Sequence, residues 1–295
     1  MNRSFFVVLP MLILLLLLGQ ARAQGNERQA RLMDRLIAAY PDFLLARKGN
    51  LLIWKDGTEM PFDDGRAKSF DERMKTPDLE DMFYATYQAG RPKATPGYNI
   101  DPGRVRFEPF FKRMYGTSRA QVRANLTSIV WLPKKSGKRI KVTAINGVAE
   151  KLQKISNELD KLPARFNKYL IPARRADRKF VPGIFSWRCI RGTQRLSVHS
   201  FGAAVDLVFL QYWQTAFRPG GKKQKGSTNC SANQPRFLHK HGKGKVGGHR
   251  HAYKNSMPFE IVDIFERHGF IWGGKWYHYD TMHFEYRPEL LKAAR

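Results

Sequence analysis

Apolar residues recur at helical spacing over 27–47, at Leu32, Leu36, Ile37, Tyr40 and Leu44, and predict an amphipathic helix there. Residues 51–62 predict a hairpin: the run Leu51–Trp54, a turn at Lys55-Asp56-Gly57, then Glu59 to Phe62. Residues 88–104 are rich in Gly and Pro and predict a loop. Two β-prone runs, 128–132 and 140–144, are joined by a basic turn at 134–138 that contains Gly137. Asn146 then predicts the cap of a helix with Val148, Leu152, Ile155, Leu159 and Leu162 on one face, stopped at Pro163. Asp206 opens the apolar run Leu207 to Leu210, which predicts a buried strand. Residues 256–269 predict a helix with Phe259, Val262 and Phe265 inward, Glu260 and Glu266 toward solvent, and Gly269 as its stop. His268, at the end of that helix, favours its dipole.

The N-terminus changes how the rest is understood. Arg3, the apolar run from Phe5 to Leu18, and Ala21-Arg22-Ala23 follow the order of a secretory signal peptide, residues 1–23. The alternative is a single-pass anchor. The apolar run is about 14 residues long, where a spanning helix needs about 20, so no stable membrane anchor is expected. The expected location is therefore periplasmic or secreted.

With 295 residues and 42% hydrophobic residues, the chain can bury a sizeable core and is too apolar for intrinsic disorder. Its formal charge of +27 calls for polyanionic surroundings. For an exported chain, an anionic cell-wall polymer is a better partner than nucleic acid, which is not expected. The basic character peaks over 207–259, which holds ten Lys or Arg, seven Gly and no acidic residue. An oxidising compartment makes Cys189–Cys230 a disulfide, the alternative being two buried thiols. Two cysteines exclude a four-thiolate zinc site.

All eight histidines lie at or beyond residue 199, so imidazole chemistry belongs to the C-terminal third. Two segments hold the relevant residues: Ser197-Val198-His199-Ser200-Phe201-Gly202-Ala203-Ala204-Val205-Asp206 and Asp280-Thr281-Met282-His283-Phe284-Glu285. His199, Asp206 and His283 form a two-imidazole, one-carboxylate set, which suits a catalytic zinc with one position left for water. Gly202, Ala203 and Ala204 permit a tight turn between the first two. Glu285 shares a strand face with His283 and is either a partner for its ring N–H or a surface residue. The pairs His239/His241 and His249/His251 are either loop residues or ligands for a second metal. Trp272 fits core packing and Trp276 fits the cleft.

The first segment resembles the Ser-x-His-x-x-Gly-x-Ala-x-Asp signature of the M15 zinc peptidases of peptidoglycan. This group includes D-alanyl-D-alanine carboxypeptidases and dipeptidases, L-alanyl-D-glutamate endopeptidases and phage endolysins. The second segment resembles their acid-x-x-His block. Residues 269–276, Gly-Phe-Ile-Trp-Gly-Gly-Lys-Trp, resemble the lead-in of the endopeptidase branch. The resemblance covers roughly residues 183–292. It implies that His199, Asp206 and His283 bind zinc and that Asp280 is the general base, placed in a loop or bulge just before the strand of His283. An Asp at this position is more typical of the endopeptidase branch. Arg188 resembles the arginine that holds a substrate carboxylate or oxyanion, with Arg191 or Arg195 as alternatives. Ser197, Gln194, His278 and Trp276 are candidate substrate-binding residues.

The expected fold is α+β, a small antiparallel sheet flanked by helices with a mononuclear zinc site, of the Hedgehog/DD-peptidase type. It follows a mixed helix and hairpin region over 24–164 and a basic linker over 165–182, so that the peptidase domain is 183–295. The expected activity is zinc-dependent hydrolysis of an amide in peptidoglycan stem peptides. Two alternatives are a catalytically silent peptidoglycan-binding module of the same fold and a basic nucleic-acid-binding protein.

Overall fold

The computed structural model describes residues 8–171, 184–190, 193–207 and 255–291, with the backbone alone over most of 8–23. Two compact units result, Met1–Ala67 and Lys68–Arg295.

In the first unit, α1 (Val8–Ala39) is followed by β1 (Leu44–Lys48), β2 (Leu51–Trp54) and β3 (Glu59–Pro61), an antiparallel sheet in the order β1-β2-β3. Met33, Leu36 and Tyr40 are buried, as are Leu52, Trp54 and Phe62 of the sheet region. The helix predicted to reach residue 47 ends at Ala39. Pro41 disfavours a helical Tyr40, and Leu44 is already the first residue of a strand. Among the described residues no helix is long and apolar enough to cross a membrane.

The second unit begins with α2 (Phe70–Lys75), closed by a capping box between Ser69 and Glu72. After a long loop come α3 (Glu108–Tyr115) and α4 (Arg119–Ala124). The hairpin of β4 (Leu126–Trp131) and β5 (Lys138–Thr143) follows, close to its predicted place. Next is α5 (Val148–Asp160), which buries Val148, Leu152, Ile155 and Leu159. Its N-cap is Gly147 rather than Asn146, whose side-chain amide instead donates to the Tyr115 hydroxyl at 3.2 Å. A short α6 (Asn167–Leu170) ends the first described stretch.

The site is built on the second sheet of this unit. β6 (Ala204–Asp206), β8 (His283–Tyr286) and β7 (Phe270–Trp272) lie in the order β6-β8-β7, all antiparallel, with α7 (Phe259–Arg267) against one face. Phe265 of α7 stacks on Phe284 of β8 with ring centroids 4.0 Å apart. Strand alternation then sends His283 and Glu285 to the opposite face. Mixed helices and small antiparallel sheets agree with the α+β expectation.

Asp206 ends its strand instead of opening one, because the paired residues are Ala204–Asp206. Of the predicted run Leu207–Leu210, only buried Leu207 lies within the described residues. The division of the chain also differs from the expected one. It falls at Ala67/Lys68 rather than around 165–182, and residues 68–164 share a unit with the peptidase-like segment. Residues 172–183 of the expected linker region lie outside the described residues.

Long-range polar contacts account for that union. Glu266, predicted to face solvent, is 8% exposed. It accepts the Tyr87 hydroxyl at 2.5 Å and the Gly90 amide at 2.6 Å, and it pairs with Lys275. Lys275 also donates to the carbonyls of Gln88 and Gly90. His268, expected only at a helix end, pairs with Glu158 of α5, as does Arg267.

A candidate metal centre

The sequence Ser197 to Asp206 folds into a 3₁₀ turn, Val198–Phe201, and then β6. The Ser197 side chain accepts from the His199 amide and starts the turn. Gly202 ends it at φ +69°, a left-handed conformation that L side chains resist. A Cβ there would also meet Leu126 Cδ2 at 2.8 Å and the Thr143 amide nitrogen at 3.1 Å. Beneath the turn, Phe201 stacks on Phe111 and packs at a tilt against Tyr115. These constraints fix His199 five residues before the first residue of the strand that carries Asp206.

Asp206 and His283 are direct partners across β6 and β8, so their side chains share one face. Asp206 Oδ1 lies 3.1 Å from His199 Nε2 and 2.9 Å from His283 Nδ1. Ligand atoms of all three residues lie within 4.8 Å of one another. The far nitrogen of each ring is held by a partner. His199 Nδ1 faces the Ile184 carbonyl at 2.8 Å, and His283 Nε2 faces Glu285 Oε2 at 2.9 Å. Both partners only accept, so the outer nitrogens carry protons and a metal would be met by His199 Nε2 and His283 Nδ1, the latter once the proton it shares with Asp206 has left. His199 Nε2 is buried and makes no hydrogen bond of its own, an orphaned atom that a metal would satisfy. The donor set therefore fits zinc.

Burial alone would raise the Asp206 pKa. The neighbouring imidazoles of His199 and His283 outweigh that and hold its carboxyl well below the usual carboxylate range. Burial likewise lowers the His283 pKa, but its hydrogen bonds to Asp206 and Glu285 dominate and push it up to about 9. Binding a cation at this site would release that proton.

A cleft of about 140 Å³ opens over the cluster, lined by His199, His283, Asp280 and Trp276 and by four arginines, Arg104, Arg106, Arg188 and Arg195. Asp280 lies in the turn before β8, as the two-sided nature of a strand requires. Its amide donates to the Gly273 carbonyl, and its own carbonyl accepts the His283 amide. Arg195 is half-buried. Burial and the neighbouring Arg106 and Arg104 lower its pKa to about 9, which leaves it charged at neutral pH. Arg188 is exposed at the cleft edge. Ser197 lines the cleft, and Trp272 is fully buried.

Two candidates fall elsewhere. His278 is buried away from the cleft, with its amide and Nδ1 both directed at the Asp101 carboxylate and its ring stacked on Phe70. Gln194 is exposed and does not line the cleft. Arg191 and the histidines at 239, 241, 249 and 251 lie outside the described residues. Of the two cysteines, Cys189 is among the described residues and Cys230 lies outside them.

Arg104 and Arg106 were not anticipated. Both come from a stretch that reads as loop and its immediate continuation. The signal available was the alternation Arg104-Val105-Arg106 directly after Pro102-Gly103, with Val105 fully buried between them.

Two imidazoles and a carboxylate around one point, beside a further acid and a row of cations, are a constellation suited to metal-assisted hydrolysis of a substrate that carries negative charge. Residues 191–286, roughly a third of the chain, match the family model described as D-alanyl-D-alanine carboxypeptidase. No curated protein and no solved structure matches the chain in the comparisons made with them.

Proposed function

We propose that the protein is an exported zinc peptidase that hydrolyses an amide bond in the stem peptides of peptidoglycan. The observation that carries this reading is that the cluster of His199, Asp206 and His283 adjoins a cleft that His199, His283 and Asp280 line, all within the family-matched segment. Zinc held by His199, Asp206 and His283 would supply a Lewis acid and lower the pKa of a water toward about 7. Asp280 accepts the proton of the attacking water and returns it to the leaving amine. Arg195 and Arg188 bind a carboxylate of the stem peptide, and Trp276 walls the cleft. Asp280 in place of Glu favours the L-alanyl-D-glutamate bond over the D-alanyl-D-alanine bond. The basic stretch 207–259 holds the enzyme on an anionic wall polymer, and a Cys189–Cys230 disulfide ties that stretch to the cleft edge. The signal-like residues 1–23 support export.

The test is zinc content together with mass spectrometry of muropeptides after digestion. About one zinc per chain is expected, with new stem fragments whose masses identify the bond cut. Asp280→Asn should keep its zinc and lose about 10²–10⁴-fold in turnover, the usual worth of general acid–base catalysis. A parent chain that takes up no zinc and leaves muropeptides intact would overturn the proposal. Near-parental turnover in Asp280→Asn would remove that residue from the mechanism.

A further inference from the structure

His283 and Glu285 share the face of β8 that carries the metal cluster, and a loop from outside the family-matched segment covers this face. At its tip, Gly103 has φ +89°, and a Cβ there would lie 2.3 Å from Ile271 Cδ1 and 2.7 Å from Leu290 Cδ1. Only glycine lets the backbone come so close. The Gly103 carbonyl accepts Arg287 Nη1 at 2.6 Å, which fastens the loop to the residue after β8.

Three residues further on, Arg106 meets Glu285, which has no solvent exposure. Arg106 Nε donates to Oε1 at 3.1 Å and Nη2 donates to Oε2. The two-point contact fixes the plane of the carboxylate as well as its position. The oxygen that takes Nη2, Oε2, is also the one that accepts His283 Nε2–H at 2.9 Å. Arg287 does not duplicate this arrangement. Its Nε is given to Glu289 and its Nη1 to Gly103, and it reaches Glu285 Oε1 only at 3.3 Å.

We infer that Arg106 is a positioning residue for the metal centre: through Glu285 it sets the rotation and tautomer of His283, so that Nδ1 is presented beside Asp206. The loop around Gly103, which lies outside the family match, is then a working part of the site. This inference rests on the zinc reading given above. It also separates Arg106 from the other cleft arginines, whose role is toward substrate.

The experiment uses the full chain, stripped of metal and titrated with zinc against a chromophoric chelator. The variants are Arg106→Gln, Arg106→Lys and Glu285→Gln, with circular dichroism and the metal-free unfolding midpoint recorded for each. Loss of a hydrogen-bond partner behind a metal-bound histidine typically weakens metal affinity 10–100-fold, and that range is expected for Arg106→Gln. Arg106→Lys restores the charge but not the two-point contact, so it should recover only part of the affinity. Combining Arg106→Gln with Glu285→Gln should cost no more zinc affinity than Glu285→Gln alone, because the two act in series. Arg106 is partly exposed and Lys keeps its charge, so Arg106→Lys decides the matter if Arg106→Gln does not fold. Zinc affinity in a folded Arg106→Lys chain equal to that of the parent overturns the inference. If the parent itself binds no zinc, the metal reading fails instead.

Discussion

Gly202→Ala tests how the turn between the two ligands of the first segment is held. The added methyl group has two consequences. At φ +69° an L residue sits in the left-handed region, at roughly 1–2 kcal/mol. Its Cβ also lies 2.8 Å from Leu126 Cδ2 and 3.1 Å from the Thr143 amide nitrogen, an overpacking of the kind that costs about 1–3 kcal/mol. Leu126 is half-buried and can swing aside. Thr143 cannot, because its amide donates to the Gly202 carbonyl at 3.2 Å and its strand is paired to β4. A combined loss of about 3 kcal/mol is expected, and for a unit of this size that is a fall of roughly 6–12 °C in the unfolding midpoint. Differential scanning calorimetry of metal-free protein reads it directly. Removing the first contact with Leu126→Ala in the Gly202→Ala background should return only a minor share, since the backbone contact and the dihedral remain. Zinc affinity should drop as well, because Gly202 lies between His199 and Asp206 and a shifted turn misaligns one of them. A Gly202→Ala chain that melts within about 2 °C of the parent would refute the reasoning. Full rescue by Leu126→Ala would show that the side chain alone mattered.

Two further outcomes follow from charge. Arg195→Ala should lower kcat/KM about 10–100-fold on a stem peptide with free carboxylates, as expected for a hydrogen bond to a charged group worth about 1.5–3 kcal/mol, and should lose little on the amidated peptide; equal losses on both peptides would deny it a carboxylate-binding role. Glu158 has its pKa lowered: burial opposes ionisation, but the His268 and Arg267 contacts outweigh it. A depressed carboxylate pKa gives stability that is present above the unfolded value and lost as pH falls through the folded one. Unfolding midpoints of the parent should therefore drop more steeply than those of Glu158→Gln between about pH 6 and pH 3, and parallel curves would exclude the pair as a source of acid sensitivity.

What the sequence conveyed about the site was local. His199 to Asp206 is a single turn and strand whose small residues and capping serine are adjacent in the chain, so type and spacing suffice to read it. His283 and Glu285 follow from strand alternation, and Asp280 before the strand from the same rule. What remained hidden depends on pairs far apart in sequence. Arg106 and Glu285 are separated by 179 positions, as are Tyr87 and Glu266. On helical spacing alone Glu266 belongs to the outer face of α7, and only the arrival of Tyr87 and Lys275 makes burial tolerable. His278 was near the site in sequence but is drawn off by Asp101, 177 positions earlier. The overlong first helix had a local cause that spacing could not override, the proline at position 41.

These long-range pairs also explain why the unit starts at Lys68. Within the described part of the family-matched segment there are three short strands and one nine-residue helix. Glu285, Arg287 and Glu289 nonetheless have almost no exposure, and buried charges are tolerated only when each has its partners. The missing cover comes from residues before 116: Arg106 for Glu285, the Gly103 carbonyl for Arg287, and the Phe111 ring under the Arg287 guanidinium at 5.2 Å. Phe111 in turn stacks on Phe201, in the same 3₁₀ turn as His199. One chain of contacts therefore runs from the loop through the buried charges to both histidines of the cluster. A substitution anywhere along it should alter metal affinity and stability together, whereas a substitution of Arg188 at the exposed cleft edge should alter substrate binding alone.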